Sequence, residues 1–355
     1  MQRVGAALVA VVMVLAALWW QGEWPFSSGG NSGGGGPVRL LCTTELETAC
    51  TQLAEHDGDV SVTVEPAGTT AQSLISLPEG QRPNFDAWLA PSPWQQMVDV
   101  QRRGKQPLFA TPSDPIGRSP LVLAVRADRQ PVLAAAPACN NTVDWKCIGA
   151  VAGQPWTNLG GQPAWGTVKP GYGDPTVNAT ALIVLSQATS EYLDKADYSR
   201  ADLEDNDQYL DWLGGLEHAI PKLAPSAAGP FQEMLQQLPT ATYDVVGTTE
   251  ADAGPALAAA APDRRKQLTL LYPEPVVTAD VVLAAVASGQ EKGAAEDLAG
   301  NGELAAALAR TGWRVPGQPA ARGVRDTPAL PRGNGLPSDP GSLVALQDTW
   351  RGVPK

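Results

Sequence analysis

The pattern of apolar and polar residues predicts strands that alternate with helices. Over residues 38–105 the predicted elements are a strand at Val38–Thr43, a helix at Glu45–Glu55, a strand at Val60–Glu65, a helix capped by Thr69 and Thr70, a strand at Phe85–Leu89, and a helix from near Trp94. Within Val60–Glu65 a valine occupies every second position, which is typical of a strand with one buried face. This alternation indicates an α/β sheet with crossover helices.

The remainder of the chain continues the pattern with longer connections. Strands are predicted at Leu121–Val125, Tyr243–Gly247 and Leu268–Tyr272, and helices at Ala179–Ala188, Val276–Val286, Gly302–Thr311 and Gly341–Trp350. The run Asp202–Asp211 is acidic, but it lacks the glycine and the terminal glutamate of an EF-hand calcium loop. We therefore expect a solvated helix start or loop there, and no metal site.

Composition restricts the classes of function. A chain of 355 residues is long enough for two domains or lobes. The net charge of −12 argues against a nucleic-acid partner, because no basic surface is available to follow a phosphate backbone. Only two histidines occur, His56 and His218, which argues against zinc chemistry and histidine general-base catalysis.

The amino terminus indicates export. Arg3 precedes the apolar run Val4–Trp20, so residues 1–23 are either a cleaved signal peptide or an uncleaved signal anchor. No cysteine follows closely, since Cys42 is the first, and a lipoprotein modification site is therefore absent. The pair Trp19 and Trp20 suits a membrane interface and favours the anchor. We expect a cell-membrane protein with this single amino-terminal helix in the membrane and its bulk extracytoplasmic.

A linker and four cysteines follow the apolar segment. Residues 24–36 are rich in glycine and serine and predict a flexible tether. An even number of cysteines in an exported chain favours disulfides, and proximity favours the pairs Cys42–Cys50 and Cys139–Cys147. A zinc site with four cysteine ligands is the alternative, although its usual C-x₂-C spacing is missing.

Six segments carry a resemblance to a known family. They are VRLLCTTEL, FDAWLAPSPWQQMV, IGRSPLVLAV, AWGTVKPGYGDPTVNATALIVL, YDVVGTTEADA and LLYPEPVVTADVVL, and they occur in this order between Val38 and Trp350. In their order the chain resembles type II periplasmic solute-binding proteins, nearest the molybdate/sulfate-type members. It is especially similar to the solute-binding-like domains that actinobacterial proteins often join to a von Willebrand factor A domain.

The resemblance implies an α/β fold of two lobes, each a mixed sheet flanked by helices. Lobe 1 would comprise residues 37–119 plus 269–350, and lobe 2 residues 120–268. In this family the ligand lies in the cleft between the lobes, where loops meet helix amino termini and unpaired backbone N–H groups attract an anion or a polar group.

The resemblance places candidate ligand contacts at small polar residues on those loops. They are Thr43, Thr44, Ser92, Ser119, Thr176, Asn178, Ala179, Thr180, Thr248 and Thr249. The same residue types are ordinary helix caps and turn residues, so each position has a purely structural alternative. Glu45 and Glu250 would lie beside this cleft, where a desolvated carboxylate disfavours an oxyanion.

These observations favour a binding protein over an enzyme. The chain lacks a G-x-S-x-G nucleophile elbow, a Walker A loop, a G-x-G-x-x-G fingerprint and an H-E-x-x-H helix. We expect no cofactor, and a small polar solute as the ligand, with an ABC permease as the implied transport partner. The alternative is a cell-envelope interaction scaffold whose degenerate cleft serves a partner, for example a separate von Willebrand factor A protein.

Overall fold

The computed structural model describes residues 36–222, 228–238, 242–318, 323–324 and 327–354. The predicted signal or anchor segment, residues 1–23, lies outside the described residues, as does all of the linker except Gly36. From residue 37 onward the described residues form one compact unit. Among the described helices, none combines the length and the hydrophobicity needed to cross a bilayer.

Eight strands of the described residues form one continuous sheet. They are β1 Val38–Cys42, β2 Val60–Val64, β3 Ala87–Pro91, β4 Gly117–Arg126, β5 Pro170–Gly171, β6 Val245–Thr249, β7 Leu268–Leu271 and β8 Thr278–Ala285. Their order across the sheet is β2-β1-β3-β8-β4-β6-β5, and β7 pairs with β4 beside this path.

Helices connect and cover these strands. The α-helices are α1 Glu47–His56, α2 Ala67–Ser76, α3 Trp94–Gln101, α4 Gln130–Ala135, α5 Trp145–Val151, α6 Ala179–Leu193, α7 Arg200–Glu204, α8 Asp207–His218, α9 Ala228–Gln237, α10 Glu250–Ala259, α11 Pro262–Arg265, α12 Lys292–Asp297, α13 Gly302–Arg310 and α14 Pro340–Gly352. Short 3₁₀ turns lie at Thr44–Leu46, Trp156–Leu159, Pro163–Trp165 and Leu298–Gly300.

Strand β4 joins two halves of the sheet because its partners change along its length. Gly117–Pro120 pairs antiparallel with β8, whereas Leu121–Val125 pairs antiparallel with β6. We call β2, β1, β3 and β8 the first half-sheet, and β5, β6, β7 and the end of β4 the second half-sheet. Helices α1, α3 and α12 contact strands of the first half-sheet, with α2 packed on α3 and α13 packed on α1. Helices α6, α9 and α10 contact strands of the second, with α5 packed on α6. The predicted lobe boundary at residues 119 and 120 falls at this change of partners, and the exact lobe bounds stay a prediction.

The predicted helix at Val276–Val286 is wrong, because this segment contains strand β8. All eight residues of β8 are buried, and β3 and β4 flank it on both edges. A central strand covered on both faces has no polar positions to reveal a period of two. The alanines of this segment suggested helix packing, whereas its small and β-branched residues fill the middle of the sheet.

Other element boundaries differ by a few residues. Helix α2 begins at Ala67 with Pro66 as its N-cap, so the predicted capping role of Thr69 and Thr70 is wrong. Thr70 lies inside the helix and donates its hydroxyl to the Glu65 carboxylate. The acidic run at Asp202–Asp211 forms parts of two helices, as expected of a helix start. In the described residues no group of His, Cys, Asp or Glu side chains is arranged to hold a metal ion.

Both predicted disulfides are confirmed: Cys42 bonds Cys50, and Cys139 bonds Cys147. The alternative of a four-cysteine zinc site is therefore wrong, since all four sulfurs are covalently paired. The first disulfide ties the end of β1 to α1, and it encloses the turn at Thr44–Leu46.

Candidate functional site

Helix α6 begins where the two half-sheets meet, and every backbone N–H group of its first turn has an acceptor. The helix packs on β6 of the second half-sheet and also contacts β3 and β8 of the first. Asn178 is its N-cap, and the Asn178 Oδ1 accepts the backbone N–H of Ala181 over 2.9 Å. The Thr180 hydroxyl donates to the same oxygen over 3.1 Å.

The carboxylate of Glu45 caps the same helix from the first half-sheet. Its Oε1 accepts the backbone N–H of Ala179 over 2.6 Å and that of Thr180 over 3.3 Å, although Glu45 and Ala179 are separated by 134 positions. Burial raises the pKa of Glu45, and its own N–H and those of Ala179 and Thr180 oppose this shift. A carboxylate at this position satisfies the orphan donors and the positive end of the helix dipole.

A second contact between the half-sheets lies at the start of α2. The Gly68 N–H donates to the Val177 carbonyl over 2.9 Å. A Cβ at residue 68 would lie 1.9 Å from the carbonyl oxygen of Thr176, so only glycine permits this approach. Gln347 of α14 donates its side-chain amide to the Pro175 carbonyl over 2.8 Å and fixes the same segment.

Hydroxyl groups also cluster at the start of α10. Thr249 is the N-cap, and its hydroxyl oxygen accepts the Asp252 N–H over 3.1 Å. The hydroxyls of Thr248 and Thr249 donate to Asp252 Oδ2 over 3.2 and 2.8 Å. Burial raises the pKa of Asp252, and the two hydroxyl donors oppose this shift. The Ser119 hydroxyl accepts the Ala251 N–H over 2.9 Å, which connects β4 to the same helix start.

Glu250 does not present a free charge to the cleft. Its side chain is completely buried, and the Arg314 Nε donates to Glu250 Oε1 over 2.7 Å. The Tyr272 hydroxyl donates to Glu250 Oε2 over 2.7 Å. The positive charge of Arg314 therefore offsets the repulsion that Glu250 was predicted to exert on an oxyanion. The hydrogen-bond donors to Glu45, in contrast, are N–H and hydroxyl groups without a formal charge.

A polar groove of about 670 Å³ opens between helices of the two half-sheets. Its walls include Glu45, Gln52 and Arg310 from the first half and Gln232, Asp252 and Arg264 from the second. Arg310 is held by its Nε, which donates to the Gln52 side chain over 2.9 Å. A second cavity of about 630 Å³ lies between α2, α3 and α14 and is bordered by Gly68 and Thr176.

The structure places most, but not all, of the predicted ligand residues at the three contacts described above, namely the start of α6, the start of α10 and the Gly68 contact. Seven are buried, namely Thr43, Ser119, Asn178, Ala179, Thr180, Thr248 and Thr249, and three are half-buried, namely Thr44, Ser92 and Thr176. Ala179 and Thr180 meet at Glu45, Ser119 lies at the helix start that follows Thr248 and Thr249, and Thr176 lies at the Gly68 contact. Ser92 belongs to none of these groups, and its N–H donates to the Asp280 carbonyl. Their role as solute contacts stays a prediction.

Sequence reasoning missed several residues that line the groove. Asp252 stands three positions after the N-cap Thr249, and this spacing is the local sequence pattern of a capping box. That pattern was sufficient to place Asp252 at a helix start beside the cleft. Gln52, Arg264 and Arg310 are polar residues on helices, and their sequence pattern does not distinguish them from ordinary surface residues. Only the tertiary structure brings them to one groove.

Comparison with known proteins identifies related folds. A family model described as "Bacterial extracellular solute-binding protein" matches residues 39–314. No curated protein sequence matches the chain significantly.

Three solved structures illustrate the likeness. The periplasmic binding protein AfuA of Actinobacillus pleuropneumoniae, with fructose-6-phosphate bound, is 14% identical with a TM-score of 0.54, over 90% of this chain and 99% of that chain. Iron-bound HitA of Pseudomonas aeruginosa is 14% identical with a TM-score of 0.55, over 90% and 100% of the two chains. The ferric binding protein of Campylobacter jejuni is 9% identical with a TM-score of 0.55, over 89% and 96%. At these identities the likeness concerns the fold, and it confirms the predicted two-lobed periplasmic-binding-protein architecture.

Proposed function

Because the chain belongs to the bacterial extracellular solute-binding protein family, we propose that it captures a small polar solute in the groove between its two lobes. The family consists of binding proteins, so the chain is not an enzyme. The observation that carries the proposal is the polar groove of about 670 Å³, whose walls come from both halves of the sheet. A solute that contacts both walls stabilises the closed arrangement of the lobes.

The proposed lobes are residues 37–119 plus 269–350 and residues 120–268. The change of partners along β4 supports the boundary near residue 119, since β4 pairs with β8 up to Pro120 and with β6 from Leu121. Strand β7 pairs with the end of β4 in the second half-sheet, so the return to lobe 1 falls after Leu271 and not at residue 269. None of the ten predicted loop residues lines the groove as it stands, and they remain our candidate contacts for the separated lobes. Seven of them are buried with the lobes together, so a solute reaches them only when the lobes separate.

Near the amino terminus of α6, the groove favours a neutral or cationic group of the solute over an oxyanion. Glu45 and Asp252 present two carboxylates, and the helix start that would attract an anion already holds the Glu45 carboxylate. Arg264 and Arg310 give the opposite end of a dipolar solute a partner. The similar structures hold a sugar phosphate in one case and iron in another, so the fold itself leaves the chemical class of the ligand open.

We further propose that residues 1–23 anchor the protein in the cell membrane and that residues 24–36 tether the binding unit outside it. The Trp19 and Trp20 pair at the outer end of the apolar run supports an uncleaved anchor. Mass spectrometry of the mature amino terminus tests this: an intact Met1-containing peptide is expected, and a new amino terminus after residue 17 contradicts it.

Thermal denaturation of the full-length protein with a panel of sugars, amino acids, polyamines and oxyanions tests the binding function. We expect a neutral or cationic solute to raise the melting temperature by about 2 °C or more at saturation. Asp252→Asn should weaken this shift, whereas Glu79→Gln, at an exposed position outside the groove, should leave it unchanged. A panel in which no solute raises the melting temperature contradicts the proposal.

An envelope interaction scaffold is the second candidate function, and one observation favours it. The Glu45 carboxylate fills a position at which the fold could hold a ligand. In this second proposal an outer surface, and not the cleft, binds a separate von Willebrand factor A protein. Crosslinking in intact cells separates the two candidates. Recovery of an ABC permease supports solute transport, and recovery of a von Willebrand factor A protein without a permease supports the scaffold.

A further inference from the structure

The first turn of α6 carries backbone donors that require an acceptor. Helix α6 has fifteen residues, thirteen of them buried, so its amino-terminal N–H groups cannot rely on bulk water. Asn178 accepts one of these N–H groups, from Ala181. The other two, from Ala179 and Thr180, converge on one oxygen of Glu45.

Glu45 reaches this helix from the other half of the sheet. It lies in the 3₁₀ turn directly after β1, and the disulfide between Cys42 and Cys50 closes the chain on both sides of this turn. The hydrogen bonds of Glu45 therefore join the two lobes through a group that belongs to the chain itself. The Gly68 N–H, which donates to the Val177 carbonyl, joins the same two parts immediately before the helix.

One donor at this helix start remains without an acceptor. The Asn178 side chain is 1% exposed, and its Nδ2 has no hydrogen-bond partner among the described residues. A buried amide donor without a partner is destabilising, because it has lost its hydrogen bonds to water. The Glu45 carboxylate and the Asn178 Oδ1 accept the backbone N–H groups of Ala179, Thr180 and Ala181, and the Asn178 Nδ2 is left without an acceptor.

We propose that Glu45 is an intramolecular ligand and the specificity determinant of the cleft. Its carboxylate occupies the anion position at the α6 amino terminus, holds the two lobes together without a solute, and excludes oxyanions from that position. This inference rests on the proposed function, because it assigns the class of solute that the same cleft rejects. Removal of the carboxylate then vacates a position with two donors, the N–H groups of Ala179 and Thr180, next to the N-cap Asn178.

Hydrogen exchange of the full-length protein without any solute tests the contact. We expect slow exchange across residues 179–181 in the wild type, and exchange about tenfold faster in both Glu45→Ala and Glu45→Gln, because a lost or neutral acceptor lowers the free energy of local opening. Glu55→Ala is the matched control, since Glu55 is an exposed glutamate on the neighbouring helix α1. Exchange in Glu45→Gln equal to that of the wild type overturns the proposal, even if Glu45→Ala fails to fold.

A sulfate titration tests the exclusion of oxyanions, with sodium chloride at equal ionic strength as the salt control. We expect sulfate to raise the melting temperature of Glu45→Ala by about 2 °C or more beyond chloride. The wild type and Glu45→Gln, whose side chains fill the position, should show no such difference. An equal sulfate effect in the wild type, or none in a folded Glu45→Ala protein, overturns the proposal.

The two experiments separate this inference from the proposed function. A sulfate response confined to Glu45→Ala supports the inference even if no solute of the panel stabilises the wild type, which would contradict the function alone. A solute that stabilises the wild type, together with unchanged exchange in both Glu45 variants, supports the function and contradicts the inference.

Discussion

The guanidinium of Arg314 lies against the completely buried carboxylate of Glu250, with a distance of 2.7 Å from Nε to Oε1. Arg314 also pairs its backbone with Arg118 at the start of β4, because each residue donates its N–H to the carbonyl of the other. The segment after α13 is therefore fastened to the amino terminus of α10 by the ion pair and to β4 by the backbone pairing.

Replacement of Arg314 by alanine is expected to lower the free energy of unfolding by about 3–5 kcal/mol, because it leaves a buried carboxylate without its cation. The Tyr272 hydroxyl alone cannot neutralise that charge. Chemical denaturation measures the loss. Arg351→Ala is the control, since Arg351 and Asp348 are both about half exposed, at 53% and 51%, and such a pair contributes about 0–1 kcal/mol. Equal losses in the two variants would contradict a structural role for the buried pair.

The buried carboxyl of Glu191 is expected to lower the free energy of unfolding as the pH rises. Burial raises the pKa of this carboxyl from 4.5 to about 8, and the Trp145 N–H that donates to it opposes the shift only in part. The folded state therefore holds the proton more tightly than the unfolded state does. Stability from this group is complete below pH 4.5 and is lost at about 1.4 kcal/mol per pH unit until the pH passes about 8.

The pH dependence of stability is measured from the unfolding free energies of the wild type and Glu191→Gln. The measurements run from about pH 5 to about pH 9, roughly the window of that titration. The neutral glutamine keeps the acceptor for Trp145 but carries no charge at any pH. Glu191→Gln should therefore become progressively more stable than the wild type as the pH rises. Glu79→Gln should keep the wild-type slope, since Glu79 is exposed. Parallel curves for the wild type and Glu191→Gln would rule out the buried titration.

The local sequence pattern was sufficient to predict the strands and helices that have one polar face. Strand β2, with its alternating valines, and helix α13, with a well-separated apolar side, were both predicted within one residue of their bounds. Strand β8 was not, because burial on both faces removes the polar positions that distinguish a strand from a helix. Its identity depends on β3 and β4, which lie far from it in sequence.

The candidate site shows the same division between local and distant information. The helix starts at Asn178 and Thr249 could be predicted, since a cap depends on residues within one turn. Glu45 was expected near the cleft, but its bonds to Ala179 and Thr180 could not be deduced from a sequence in which these partners stand more than a hundred positions away. The pairing of Glu250 with Arg314, which offsets the expected effect of that carboxylate, could not be deduced either.

Gly68 provides a further test of the contact between the lobes. Alanine at this position would place its Cβ 1.9 Å from the Thr176 oxygen and 2.9 Å from the Val177 Cα, and backbone atoms cannot move aside as a flexible side chain does. We expect Gly68→Ala to lower stability by about 1–3 kcal/mol through this overlap. Gly215→Ala on helix α8 is the control, because no atom lies within 4 Å of its added Cβ. That variant should be neutral or stabilised by about 0.5–1 kcal/mol, and a Gly68→Ala protein that behaves likewise would contradict the close approach.

The two disulfides form a matched pair for the last prediction, because both have a sequence separation of 8. Loss of either one, in Cys42→Ala/Cys50→Ala or in Cys139→Ala/Cys147→Ala, should lower the free energy of unfolding by about 2–3 kcal/mol, since the chain entropy released is the same. Only the first disulfide encloses the turn that carries Glu45. Hydrogen exchange over residues 179–181 should therefore accelerate in the first variant and stay at the wild-type rate in the second. Equal acceleration in both would mean that exchange at this helix start follows global stability rather than the position of Glu45.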